Sequence, residues 1–255
     1  MRKFSAALLV LFVATATRAE WKIVSAQSES SAAPGLEHRH VVLENSEDGN
    51  RATIELALFS VKSCALHVID NAEGTSDLAE TMSRGNCVAG VNGGYFDPNF
   101  APIGLRVING KTLVPLVHAR LLTGILTSSA RGIQIARIGE FSRRQKFDAA
   151  LECGPGLVDL ALPVRGLDGS RSARRTFAAV DRRDRAALGF CTEVSLAELA
   201  GILSTTALAG DFKIWRALNF DGGSSSAFWF KRKDGTVFSL SEQKTVRDFV
   251  AIVPR

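Results

Sequence analysis

The chain of 255 residues is short of several things, and each shortage closes off a class of function. Its four cysteines, Cys64, Cys87, Cys153 and Cys191, never fall in C-x-x-C spacing, which argues against a zinc ribbon or a dithiol redox motif. Its four histidines, His38, His40, His67 and His118, form no H-E-x-x-H pair for a helical zinc site. No G-x-S-x-G elbow is present, because Gly222 to Ser226 reads G-G-S-S-S, and a serine hydrolase lacks its turn. A P-loop and a dinucleotide fingerprint are missing too. Tyr95 is the single tyrosine. After residue 19 no apolar run approaches the ~18 residues that a membrane-spanning helix needs. There is no internal repeat.

What is present begins with an export pattern. Arg2 and Lys3 precede an apolar run, Phe4 to Val13, and small residues lead to Ala19. This reads as a signal peptide over 1–19, so the expectation is an exported protein, periplasmic or secreted. The alternative is an uncleaved anchor. The segment carries Arg2, Lys3 and Arg18 and no acid, so its removal takes the net charge from +5 to +2. The high isoelectric point is then poor support for nucleic-acid binding, and no such partner is expected. In an exported chain an even cysteine count suggests two disulfides, and pairing of neighbours gives Cys64–Cys87 and Cys153–Cys191. Four buried thiols are the alternative.

Residues 20–36 are polar and rich in small side chains, and a flexible N-terminal lead is expected there. One domain over 37–255 follows. Strand-like runs dominate it: Ala52 to Val61, Val88 to Val91, Thr176 to Val180 and Phe249 to Val253. Asn109-Gly110 marks a hairpin. Two helices are expected. One is short, capped by Thr75 or Ser76 and ended by Gly85. The other opens on a capping box, Ser195 with Glu198, and is stopped by Gly210. His38 and His40 read as surface residues. Strands without regular helix alternation give an α+β fold with mostly antiparallel or mixed sheets.

Two apolar strands end in Gly-Gly turns that carry a polar side chain: Asn92-Gly93-Gly94-Tyr95 and Asp221-Gly222-Gly223-Ser224-Ser225. Glycine lets a ligand approach the backbone, and successive N–H groups in such a turn can cradle an anion. A plain hairpin turn is the competing reading. Tyr95 can stack on a sugar face or pack with its hydroxyl tethered. Between residues 165 and 185 lie seven arginines, and Arg174-Arg175-Thr176 opens a strand, so one guanidinium can point inward to a phosphate. A solvated basic loop is the alternative. His118 is a further site candidate. No metal-ligand cluster is evident and no cofactor is expected, although a structural Ca²⁺ held by carboxylates and carbonyls is compatible with the composition.

Taken in order, these motifs resemble the phosphodiester glycosidase family over residues 85–253. They are Asn92 to Phe96, Pro102 to Leu105 with Asn109-Gly110-Lys111, Cys153 to Val158, Arg175-Thr176, the Ser195 helix, and Leu218 to Ser225. The chain departs from the family pattern at Ala179, where Gly is usual, at Phe220, where Leu is usual, and at Glu152. The resemblance implies a phosphodiester-linked saccharide substrate. It implies Asp221, Asn92 and Arg175 as catalytic residues. It also implies Gly93, Gly94, Tyr95, Arg174, Thr176, Gly222, Gly223, Ser224 and Ser225 around the substrate. Asp97 and Glu152 are candidates for a second carboxylate. The competing function is a noncatalytic envelope protein that binds anionic glycan.

Overall fold

The computed structural model describes residues 20–255. The expected signal peptide, 1–19, lies outside the described residues. The chain opens with β1 (Trp21–Ser30), β2 (Leu36–Asn45), β3 (Arg51–Ser60) and β4 (Cys64–Asp70). Helix α1 (Leu78–Arg84) leads into β5 (Ala89–Asn92). Two hairpins follow, β6 (Arg106–Ile108) with β7 (Lys111–Val114) and β8 (Gly124–Ser129) with β9 (Gly132–Arg137). Then come β10 (Ala149–Cys153), β11 (Gly156–Asp159) and β12 (Leu162–Pro163). The arginine-rich stretch holds β13 (Ala173–Val180) and β14 (Arg185–Val194). Helix α2 (Leu196–Thr205), β15 (Arg216–Asn219), β16 (Phe228–Lys231), β17 (Val237–Leu240) and β18 (Asp248–Pro254) complete the fold.

The strands form three sheets, in the orders β1-β2-β3-β14-β13-β15-β11-β12, β7-β6-β10-β8-β9 and β17-β16-β5-β18-β4. Every ladder among the described residues is antiparallel, so the mixed component of the expected fold does not occur there. The three sheets enclose one central core, to which Phe59, Leu188, Phe220, Phe230, Leu151 and Ile252 contribute. Outer faces are covered as well. Helix α2 covers the eight-stranded sheet with Leu199, Ile202 and Leu203, and α1 covers β5 and β18 with Leu78 and Met82. Burial on both faces explains why β13 and β14 read as continuous apolar runs rather than alternating ones.

Five expectations are corrected. The stretch 20–36 is not a loose lead, because β1 occupies it and pairs along β2 from Trp21↔Asn45 to Ser30↔Glu37. An edge strand is held by its ladder and needs no buried face, so polar residues served. Both expected disulfides are absent: all four cysteines are buried free thiols. Cys64 and Cys153 lie in the central core, whereas Cys87 packs under α1 and Cys191 under α2, so each pair is split between different packing clusters. His38 is buried. Its ring nitrogens lie 2.8 Å from Glu29 and from Glu55, with Phe228, Phe230 and Phe238 around the ring. Helix α1 is capped by Asp77, whose carboxylate accepts from the Glu80 N–H, and α2 ends at Thr206, before Gly210. The capping box of α2 forms as expected: Ser195 Oγ accepts from the Glu198 N–H at 3.2 Å and Glu198 accepts from the Ser195 N–H at 2.8 Å.

Candidate active site

One strand from each sheet ends at the same rim. Asn92 ends β5, Cys153 ends β10 and Asn219 ends β15. The antiparallel neighbour β18 starts beside Asn92, since Phe249 pairs with it, and β13 runs past Asn219, which pairs with Phe177. Both Gly-Gly turns hang from these ends.

The turns are stitched together. Asn92 is fully buried; its Nδ2 donates to the Asp221 carbonyl at 2.7 Å and its Oδ1 accepts from the Ala227 N–H at 3.0 Å. The Asp221 N–H donates to the Gly93 carbonyl at 3.1 Å. Asn92 therefore fixes the turn that carries Asp221, and its amide is occupied by backbone rather than offered to a ligand. Tyr95 is tethered too. Its hydroxyl donates to the Gly154 carbonyl at 2.6 Å and accepts from Asn219 Nδ2 at 3.2 Å. Burial, with the Asp221 carboxylate nearby, pushes its phenol far up from the ordinary value.

Gly93 and Gly94 serve a different purpose from the expected contact with substrate. A Cβ on Gly93 would lie 1.9 Å from Asp248 Oδ1, and one on Gly94 2.2 Å from an Arg106 guanidinium nitrogen. The two glycines make room for a buried ion pair. Arg106 and Asp248 side chains are 1% and 2% exposed, and Arg106 Nε donates to Asp248 Oδ2 at 2.7 Å. Arg106 also donates to the carbonyls of Tyr95, Ile103, Gly104, Leu105 and Glu152. Asp248 accepts from the Gly94 N–H at 2.7 Å. A buried charge pair holds only when its remaining donors and acceptors are satisfied, and here they are.

Asp221 reaches the open side of the rim, with its side chain 16% exposed. Burial raises its carboxyl above the ordinary value; the Ser225 hydroxyl and Lys244 pull part of the way back. Ser225 Oγ donates to Asp221 Oδ2 at 2.5 Å, and Lys244 Nζ stands 4.0 Å from the same oxygen. Gly222 follows, and from Gly223 to Ser225 the chain makes one 3₁₀ turn, with Gly223 at φ +65°. The first N–H groups of such a turn have no partner inside it. Ser224 is exposed. Arg175 flanks this turn. It is 8% exposed, its Nε donates to the Val194 carbonyl at 3.0 Å and its Nη2 to the Arg171 carbonyl at 2.6 Å. Nη1 makes no hydrogen bond among the described residues and would lie 3.6 Å from a Cβ on Gly222. Burial lowers the Arg175 pKa, which remains a cation. Arg174 is committed elsewhere, over the Phe190 ring at 5.0 Å and donating to the Ser226 and Ser241 carbonyls.

Four buried polar atoms here have no partner among the described residues: Asn219 Oδ1, Thr176 Oγ1, Ser226 Oγ and Glu152 Oε1. Asp97 and Glu152, the candidates for a second carboxylate, each have one oxygen engaged by backbone. Asp97 closes its own turn on the Asn99 and Ala101 N–H groups. Glu152 is fully buried and accepts from the Leu105 and Val117 N–H groups. Sequence reasoning missed Arg106, Asp248 and Asn219. The signal for Arg106 was there, a lone charge in the apolar stretch Ile103 to Ile108. Among the described residues no three His, Cys, Asp or Glu side chains gather as a metal site.

Residues 85–253 match the family model described as phosphodiester glycosidase. No curated protein sequence matches the chain. Among solved structures, the chain resembles the catalytic domain of zebrafish N-acetylglucosamine-1-phosphodiester alpha-N-acetylglucosaminidase, auto-inhibited by its pro-peptide. The TM-score is 0.68 at 14% identity, over 91% of this chain and 89% of that one. It also resembles a hypothetical protein from Synechocystis, with a TM-score of 0.61 at 15% identity, over 87% of this chain and 62% of that one. At these identities the likeness is one of fold.

Proposed function

The chain belongs to the phosphodiester glycosidase family, and from that premise we propose that it hydrolyses the bond joining a sugar's anomeric carbon to a phosphodiester. Water adds to the anomeric carbon, the carbon–oxygen bond breaks, and the electron pair leaves on a phosphate monoester. The zebrafish enzyme named above acts, by its name, on such a bond. The observation that carries the reading is the bare Gly222–Gly223 turn, set between the Asp221 carboxylate and the unspent Nη1 of Arg175. An oxocarbenium-like centre develops positive charge at carbon while negative charge leaves with phosphate. Asp221 faces the first, as base or nucleophile. Arg175 stabilises the second, in a site where its own burial strengthens the interaction. A phosphate leaving group needs little protonation, which suits a rim where Asp97 turns to its own loop, Glu152 is fully buried and Asp248 pairs with Arg106. Asn92, Tyr95 and Asn219 position the turn. The export pattern over 1–19 supports action outside the cytoplasm, on an envelope or extracellular glycan.

The same commitment of the neighbouring carboxylates favours one competitor, a protein that binds anionic glycan without cleaving it. Release of sugar from a sugar-1-phosphodiester decides between them. Asp221→Asn and Arg175→Ala are each expected to lower turnover at least about a hundredfold, the scale of losing one transition-state contact. Saturable binding with no turnover by the native protein would establish the competitor instead.

A further inference from the structure

A groove of about 990 Å³ runs away from the candidate site along β11, between β11 and β15 of the large sheet and β8 and β9 of the second sheet. It starts at Pro155 and Gly156, directly after the Gly154 carbonyl that Tyr95 and Asn219 hold. Its walls are apolar: Leu122, Ile138, Val158, Leu160, Leu162 and Val164. Leu160 and Leu162 are 47% and 68% exposed, an unfavourable place for leucine in water. Leu160 and Ala161 adopt φ of +52° and +63°, a costly conformation for residues with a side chain, and that turn sets both leucines at the groove mouth. The rim is cationic. Arg137 and Arg216 are paired with Asp159 and Glu140, but Arg120 and Arg165 make no ion pair among the described residues. An apolar trough with surplus positive charge at its edge matches a hydrocarbon chain that carries an anionic group.

We propose that this groove takes the hydrocarbon part of an anionic amphiphile, which, resting on the function proposed above, is the long-chain aglycone of the phosphodiester. The substrate class is then a glycosyl phosphodiester of a long-chain alcohol rather than of a second sugar.

The test uses octyl phosphate and butyl phosphate as probes, by calorimetry on the native chain. Each fully buried methylene tightens binding about fourfold. With one side of the groove open to water, the four extra methylenes are expected to give at least about tenfold. Leu162→Asp, on the two-residue edge strand β12 with the side chain 68% exposed, should abolish that difference, whereas Val24→Asp on β1 should not. The octyl ester of a sugar-1-phosphate should likewise show a lower KM than the methyl ester, with the gap lost in Leu162→Asp. Equal binding of the two phosphates, or equal KM for two esters that are both cleaved, overturns the groove and leaves the hydrolase reading standing. Chain-dependent binding with neither ester cleaved refutes the hydrolase reading and leaves the amphiphile groove. A native dimer that Leu162→Asp dissociates would assign the groove to a second copy of this chain and overturn the proposal.

Discussion

Asp248→Asn isolates the ion pair that underlies the Asn92-Gly93-Gly94 turn. The substitution keeps the shape and an acceptor for the Gly94 N–H, removes the charge, and sets an amide N–H where Arg106 Nε had its acceptor. Arg106 is then a guanidinium, 1% exposed, with no other carboxylate within 4 Å among the described residues. Removing one partner of a buried pair costs about 3–5 kcal/mol, because the other charge stays buried and uncompensated. The five carbonyls around Arg106 soften this, which places the expected loss near the lower bound, about 3 kcal/mol. For a domain of this size about 1 kcal/mol shifts Tm by about 2–4 °C, so a fall of about 6–12 °C is expected. Urea unfolding followed by circular dichroism measures the free energy directly. The double variant Arg106→Met with Asp248→Asn should recover part of the loss, since no lone charge remains. A loss under about 1 kcal/mol, or a double variant that is worse than the sum of its singles, would refute the view that the glycines exist to house this pair.

Gly93→Ala should destabilise by at least about 1–3 kcal/mol, the range for overpacking, because its Cβ meets Asp248 at 1.9 Å; an unchanged urea midpoint would count against the geometry. The raised Asp221 pKa means that the folded state holds this proton more tightly than the unfolded chain does. Ionised Asp221 therefore destabilises the fold above its folded pKa, and the effect vanishes below the unfolded value. Asp221→Asn should raise Tm at pH 7 and not at pH 3, and kcat/KM of the native protein should fall with decreasing pH at a value above that of an ordinary aspartate. Burial pushes the Cys87 thiol up to about 11 and the Cys153 thiol up to about 12, and raises Cys64 and Cys191 as well. All four should react with a thiol reagent only after unfolding, and a reductant should leave Tm unchanged; native disulfides would show the opposite.

Features written in short-range residues were legible in the sequence. Ser195 and Glu198 cap α2, and Asn109-Gly110 turns a hairpin with both residues at positive φ. The two Gly-Gly turns were visible as stretches of exposed backbone at strand ends, and those strand ends do meet. The reason for Gly93 and Gly94 was not visible, because it depends on Arg106 and Asp248, 142 residues apart. The same limit hid β1, whose residues show no buried face and gain order from a ladder with β2. The role of Asn92 was misjudged for a related reason. A polar residue at the end of an apolar strand serves a ligand or a backbone equally well, and only the tertiary partners, Asp221 and Ala227, distinguish them.

The central claim is that the rim at Asp221 and Arg175 breaks the bond between the anomeric carbon and oxygen. Hydrolysis of a sugar-1-phosphodiester in ¹⁸O-labelled water, followed by mass spectrometry of both products, tests it most directly. The label is expected on the sugar, with an unlabelled phosphate monoester, and both products are expected to form at least about a hundredfold more slowly in Asp221→Asn. Label on the phosphate, or undiminished cleavage by Asp221→Asn, would contradict it.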